Sequence, residues 1–214
     1  MDIEATDIQI RKYRSSDYPC CESLVNQAWN FDSNFPPDAM ASLAKYIYTM
    51  GSIAGSNFFR IIETQNMVIS FLFGFNEKEP LPKHSLQKLS SKLGIMKQLM
   101  FMKGMKFKAK TALLKSINTH ELNRIKLIAR GKSEITLFVI DPAYQGAGLG
   151  KMLFTEFKTF CRESGVGSIL VETNHLEAAS FYERIGFKHL GDFNSPLHNH
   201  ITKNGQACMY ECLL

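Results

Sequence analysis

Gln145, Gly146, Gly148 and Gly150 fall within one short stretch, FVIDPAYQGAGLG, between an apolar run and a helical pattern. Their chemistry is anion binding. Alternate glycines let a backbone approach a ligand with no side chain in the way. The free N–H groups at the start of the following helix favour a phosphate or pyrophosphate. Three phosphate loops can be tried against these letters. A Walker loop would need Gly where Gln145 stands and a hydroxyl residue where Met152 stands, so it fails twice. The dinucleotide fingerprint G-x-G-x-x-G begins at Gly146 and Gly148 but meets Lys151 at its third glycine, while Glu172 lies at about the right distance for the ribose contact. A nucleotide-dependent oxidoreductase therefore stays open. The pattern Q/R-x-x-G-x-G/A is met by Gln145, Gly148 and Gly150.

The downstream residues favour the third loop. After Glu172-Thr173-Asn174 comes HLEAASFYERIGFKHLG, with Ala178, Phe181-Tyr182-Glu183 and Gly186-Phe187 in series. With both segments in this order the chain resembles the GNAT superfamily, the N-acetyltransferases related to histone acetyltransferases. The resemblance is strong over roughly 134–193 and weaker at Ile10-Arg11 to Asp17. It departs from the family at His175, where many members carry Asn, although Asn174 is adjacent. It departs again at 81–132, much longer than the family's usual turn between third and fourth strands.

The resemblance implies acetyl-CoA as cosubstrate, no metal, and transfer of an acetyl group to a primary amine by direct attack on the thioester. The pyrophosphate is then expected on Gln145, Gly146, Ala147, Gly148, Leu149, Gly150 and Lys151. The pantetheine arm is expected along Phe138, Val139 and Ile140, with Asn174, Ala178 and Tyr182 completing the cofactor contacts. A backbone N–H near Val139 or Ile140 is the expected oxyanion donor, where a bulge splays the fourth strand from the fifth. Tyr182, at the family's tyrosine position, is the expected acid for the leaving thiolate: a hydroxyl with a pKa near 10 stays protonated. Its other reading is a core aromatic beside Phe181. Glu134 matches the catalytic glutamate of the histone-acetyltransferase branch and is the expected base, since an alkylamine is mostly protonated at neutral pH. Glu63, Glu172 and His175 are alternatives. A non-catalytic acyl-CoA-binding or interaction module is the reading from a different class.

These groups need a scaffold. Strands are expected at 8–13, 58–64, 67–75, 134–141, 168–174, 187–193 and 208–213. Helices are expected from Ser15 or Ser16 to Trp29, from Pro37 to about Met50, and at about 149–164 and 177–185. The fold class is α/β: a mixed, mostly antiparallel central sheet with a splayed parallel pair, helices on both faces, and a helical insertion.

Residues 1–214 read as a single domain with that insertion at about 81–132. Residues 83–132 hold thirteen Lys or Arg against one acid, Glu121, while the whole chain is only +5. The rest is therefore net acidic. Leu86, Leu89 and Leu93, then Ile95, Leu99, Met102 and Met105, form apolar stripes. Asn118 with Glu121 suggests a capping box for a helix carrying Leu122, Ile125 and Ile128. Solvated lysines over a covered core are the plain reading. A surface for an anionic acceptor or partner, centred on Lys103, Lys106, Lys108 and Lys110, is the functional one.

At 45% hydrophobic residues the chain can bury a full core. It has no 18-residue apolar run and no signal-peptide pattern at its start, so no transmembrane segment and a cytoplasmic location are expected. Five cysteines, with no zinc-type spacing, are expected to stay reduced. Cys208 and Cys212 are expected on one side of the last strand. His198 and His200 flank Asn199 in a polar loop. The acceptor is a small-molecule or peptide amine, with no nucleic-acid readout motif present. A homodimer is left open.

Overall fold

The computed structural model describes residues 8–34, 38–80, 107–128, 133–174, 178–197 and 206–214. Along the chain run β1 (Ile8–Lys12), α1 (Tyr18–Trp29), α2 (Phe31–Asn34), α3 (Asp38–Gly55), β2 (Phe58–Thr64) and β3 (Met67–Phe75). Then come α4 (Phe107–Ile125), β4 (Glu134–Ile140), α5 (Leu149–Glu163), β5 (Ser168–Thr173), α6 (Ala179–Arg184), β6 (Lys188–Asn194) and β7 (Gln206–Leu213). One seven-stranded sheet has the order β1-β2-β3-β4-β5-β7-β6. Only β4 and β5 are parallel; every other neighbour is antiparallel. This is the expected fold class. A single parallel pair is not the doubly wound parallel sheet of a dinucleotide fold, so the oxidoreductase reading loses its scaffold.

The sheet separates two layers of core. On one face the amphipathic α5 buries Leu149, Leu153, Phe154, Phe157 and Cys161 against Ile135, Ile169 and Val171, with α6 beside it. On the other, α1 and α3 cover Ile61, Phe71, Phe73, Leu137 and Val139. Leu170, alternating with Ile169 and Val171 along β5, joins Phe193, Ala207 and Met209 in a third cluster with Leu127 and Ile128. The segment that follows α4 thus lies on the α1/α3 side. Cys208 and Cys212 both enter the α5-side core, as expected.

Local chemistry explains most element boundaries. β2 and β3 join through Gln65 and Asn66, both at positive φ (49° and 62°), the geometry of a two-residue hairpin turn. α3 runs to Gly55 rather than stopping near Met50. Tertiary contacts hold its last turn: Ile53 packs on the core, and Ser56 Oγ donates to Ser52 O at 2.7 Å. Neither Ser15 nor Ser16 caps α1. Asp17 precedes it, accepting the Arg14 N–H at 2.7 Å and held by Arg11 at 2.8 Å.

The insertion departs further from expectation. Asn118 lies inside α4 and caps nothing, because the residues before it are good helix formers. Leu122 and Ile125 are 56% and 59% exposed, whereas Leu127 and Ile128 pack on the sheet. The stripes from Leu86 to Met105, with Lys103, Lys106, His175, His198, Asn199 and His200, lie outside the described residues. Among the described residues no helix is long and apolar enough to cross a membrane.

Gly74 of β3 lies close against Phe157 of α5. A Cβ there would stand 2.6 Å from two ring atoms of Phe157, which is fully buried. Gly74→Ala should therefore destabilise the fold by about 1–3 kcal/mol through overpacking. Chemical denaturation reads this directly; unchanged stability would mean that the ring of Phe157 moves aside at no cost.

Candidate active site

The site begins where two strands part. β4 and β5 pair at two positions, Glu134 with Leu170 and Ile135 with Val171. Beyond them Glu172 and Thr173 pair with β7 alone. Across β4 the register with β3 shifts: Leu137 faces Phe73, but Ile135 faces Gly74. Thr136 is the extra residue of a bulge. Its hydroxyl donates to Phe73 O at 3.0 Å and lies 2.6 Å from Ser56 Oγ, and Ser52 Oγ donates to its carbonyl at 3.4 Å. The bulge therefore precedes the expected position by three residues, and hydroxyls of α3 and its C-terminal flank fix it.

The bulge decides which groups face the opening. Asp141 N–H donates to Ile69 O at 2.9 Å. By the alternation of an antiparallel ladder, the N–H of Val139 also points towards β3, and those of Phe138 and Ile140 point to the β5 side. The side chain of Val139 enters the α1/α3 core, while Phe138 and Ile140 pack on the α5/α6 side. Phe138 and Ile140, not Val139, thus turn their amides towards the gap.

The glycine loop ends at this gap. Asp141 Oδ1 accepts the Ala143 N–H at 2.9 Å and sets a short turn over Pro142–Tyr144. Gly146 and Gly148 then adopt φ of +85° and +80°, and a Cβ on either would meet nothing within 4 Å. Gly148 is the N-cap of α5 and supplies no side-chain cap. The first amides of α5, from Leu149 to Lys151, therefore stand at an uncapped helix start with no acid in the first turn. Gly150 serves a different end: a Cβ there would approach Phe181 to 2.8 Å and Ile140 to 3.0 Å. Gln145, Ala147 and Lys151 are exposed and Leu149 is buried.

Helix α6 closes the α5 side of the gap. Phe181 meets the ring of Phe138 edge-on at 5.7 Å, and Tyr182 lies among Phe181 and Phe187 at 5.3 and 5.4 Å. Tyr182 is 6% exposed, and burial pushes its hydroxyl well above the ordinary tyrosine value. It stays neutral and able to donate. Ala178, Phe138 and Ile140 pack against the cluster that contains Leu149 and Tyr182. Asn174 directly follows β5. Phe181, which packs on Phe138 of β4 and lies over Gly150 of α5, was not among the expected site residues; its adjacency to Tyr182 was the available signal.

On the opposite face, Glu134 is not alone. Arg124 of α4 donates through Nη2 to Glu134 Oε2 and through Nε to Glu172 Oε2 at 3.1 Å. His120 Nε2 lies 3.5 Å from the same Glu172 oxygen, and His120 Nδ1 lies 2.9 Å from Ser195 Oγ. Burial raises the pKa of Glu134 above the ordinary carboxylate value, and Arg124 opposes that rise. Glu63 lies on β2, two strands from β4, with its carboxylate on Arg11 Nε at 2.7 Å. Within the described part of the insertion His120 and Arg124 meet the carboxylates of Glu134 and Glu172, while Lys108 is exposed and Lys110 is half-buried. His189, Asp192 and Cys208 also come together on β6 and β7, where His189 Nε2 and Asp192 Oδ1 pair at 2.7 Å.

Residues 120–196 match the family model of the acetyltransferase (GNAT) domain. The chain is 34% identical over 59 residues to glucosamine 6-phosphate N-acetyltransferase of Trypanosoma brucei brucei, covering 28% of this chain and 40% of that protein. It is 38% identical over 58 residues to the N-alpha-acetyltransferase RimI of Mycobacterium tuberculosis, covering 27% of this chain and 36% of that protein. The chain thus spans well under half of the length of these relatives. Among solved structures, yncA of Salmonella typhimurium with its cofactor acetyl-CoA superposes with a TM-score of 0.52 at 14% identity, covering 97% of this chain and 94% of that one. The matched segment contains both the split parallel pair and the glycine loop at its mouth, so over residues 120–196 the chain is similar to the acetyltransferase (GNAT) domain.

Proposed function

We propose that this protein is an acetyl-CoA-dependent N-acetyltransferase that moves the acetyl group to a primary amine by direct attack on the thioester. The observation that carries the reading is the β4–β5 gap opening onto the uncapped start of α5 across Gly146 and Gly148, where a Cβ would meet nothing within 4 Å. That cradle suits a pyrophosphate, and the strip between Phe138 and Ile140 suits an extended amide arm. Bound acetyl-CoA would supply the activated acyl group.

The chain's own residues would then do three things. The amides of Phe138 and Ile140 lie on the side where a thioester oxygen gains charge, and one of them stabilises the oxyanion. Glu134, with its pKa raised by burial, accepts the proton of the acceptor ammonium through a water. Tyr182 donates to the sulfur as the C–S bond breaks and the C–N bond forms. The acceptor is a small-molecule or peptide amine. The basic insertion is assigned a contact with an anionic acceptor or partner, on its composition. A cytoplasmic location is assigned on the cysteine pattern, odd in number and without zinc-type spacing.

Calorimetric titration tests the cradle. Wild type should bind acetyl-CoA and not NAD. Gly148→Val should lower that affinity at least tenfold, about 1.4 kcal/mol, because its side chain projects into the cradle. Positive φ also strains any L residue there, by roughly 1–2 kcal/mol, so a melting curve must accompany the titration. A folded variant that binds acetyl-CoA as wild type does would remove the loop from the site.

A further inference from the structure

We infer that Arg124 is a positioning residue for Glu134, so that the inserted helix α4 completes the acceptor side of the site. This rests on the reading of Glu134 as the base. Glu134 and Glu172 stand on neighbouring strands at the register where β4 and β5 part. Their side chains are only 24% and 20% exposed, and both bond to the single guanidinium of Arg124, itself 16% exposed. The groups facing this pair are Arg124, His120 and Glu121 from α4, with Tyr48 of α3 close enough to feel the charge of Glu172. A planar guanidinium fork holds two carboxylates in a set geometry, which an ammonium on a flexible stem does not.

The way α4 docks favours a role beyond stability. The helix carries apolar residues, yet Leu122 and Ile125 face solvent while His120 and Arg124 face the sheet. A buried ion pair is a poor source of stability compared with apolar packing. The helix is nevertheless held firmly. Asn123 Nδ2 donates to Asn194 O at 2.9 Å, and Leu127 fills the space over Gly191. Arg124 is therefore delivered to the two carboxylates by an anchored element. Without it Glu134 would keep its burial and lose its counter-charge, and would hold its proton to higher pH.

The test compares Arg124→Met and Arg124→Lys in the wild-type and Glu134→Gln backgrounds. It reads kcat/KM against pH with the best amine of a panel, acetyl-CoA affinity by calorimetry, and melting temperature. Arg124→Met should lower kcat at least tenfold and move the ascending limb to higher pH, with acetyl-CoA affinity unchanged. Arg124→Lys, which keeps the charge, should move the limb less. In the Glu134→Gln background Arg124→Met should change the rate less than twofold. An unmoved limb, or the same loss in both backgrounds, would reduce Arg124 to a structural residue. Wild-type activity in Glu134→Gln alone would instead overturn the base assignment, so the two failures are distinguishable.

Discussion

Glu134→Gln should lower kcat by about 10²–10⁴-fold, the usual contribution of a positioned general base, and should abolish the ascending limb of the pH profile. The amide is nearly the same size as the carboxylate and keeps a hydrogen-bond acceptor for Arg124. The fold and the acetyl-CoA site should therefore survive. The sign of the pH effect follows from burial. Glu134 works as a base only when deprotonated, and its pKa lies above the ordinary carboxylate value because the charged form is desolvated. Activity should rise with pH through a midpoint above that of an exposed glutamate. A Glu134→Gln enzyme with the wild-type rate and profile would move the base to Glu63, Glu172, His175 or bulk water.

Tyr182→Phe should also lower kcat, within the same range of about 10²–10⁴-fold, while acetyl-CoA affinity stays near wild type. The substitution deletes one oxygen and preserves the ring that contacts Phe181 and Phe187. A purely packing role would thus leave kcat unaltered, and the two roles give opposite results. Because burial raises the hydroxyl above its ordinary value, the wild-type rate should not fall through titration of Tyr182 anywhere in the neutral range. A descending limb near neutrality that disappears in Tyr182→Phe would contradict that environment.

The fold was legible in the sequence wherever local chemistry decides. Alternating apolar residues announced the strands, Gln65-Asn66 announced the hairpin, and Gly146 to Gly150 announced the opening of α5. The bulge was not legible. Thr136 breaks no pattern; only the register against Phe73 and Gly74 and the hydroxyls of Ser52 and Ser56 expose it. The ladder on β3 turns the amides of Phe138 and Ile140, and not that of Val139, towards the β5 side. Arg124 was hidden for a related reason. In a segment with thirteen basic residues nothing local marks Arg124 as a residue held between two carboxylates. The apolar residues of α4 misled in the same way: Leu122 and Ile125 look like a core stripe, and the helix docks through its polar face instead. That is a tertiary choice that periodicity does not record.

The central claim is acetyl transfer, and mass spectrometry of acceptor amines with deuterated acetyl-CoA tests it most directly. The panel should include amino sugars, polyamines, amino acids and short peptides with free N-termini. Wild type should place the labelled acetyl group on at least one primary amine and release an equal amount of free CoA, with both signals strongly reduced in Glu134→Gln and Tyr182→Phe. Tight binding of acetyl-CoA with no labelled product from any amine, or transfer that is the same in wild type and in both variants, would contradict the account.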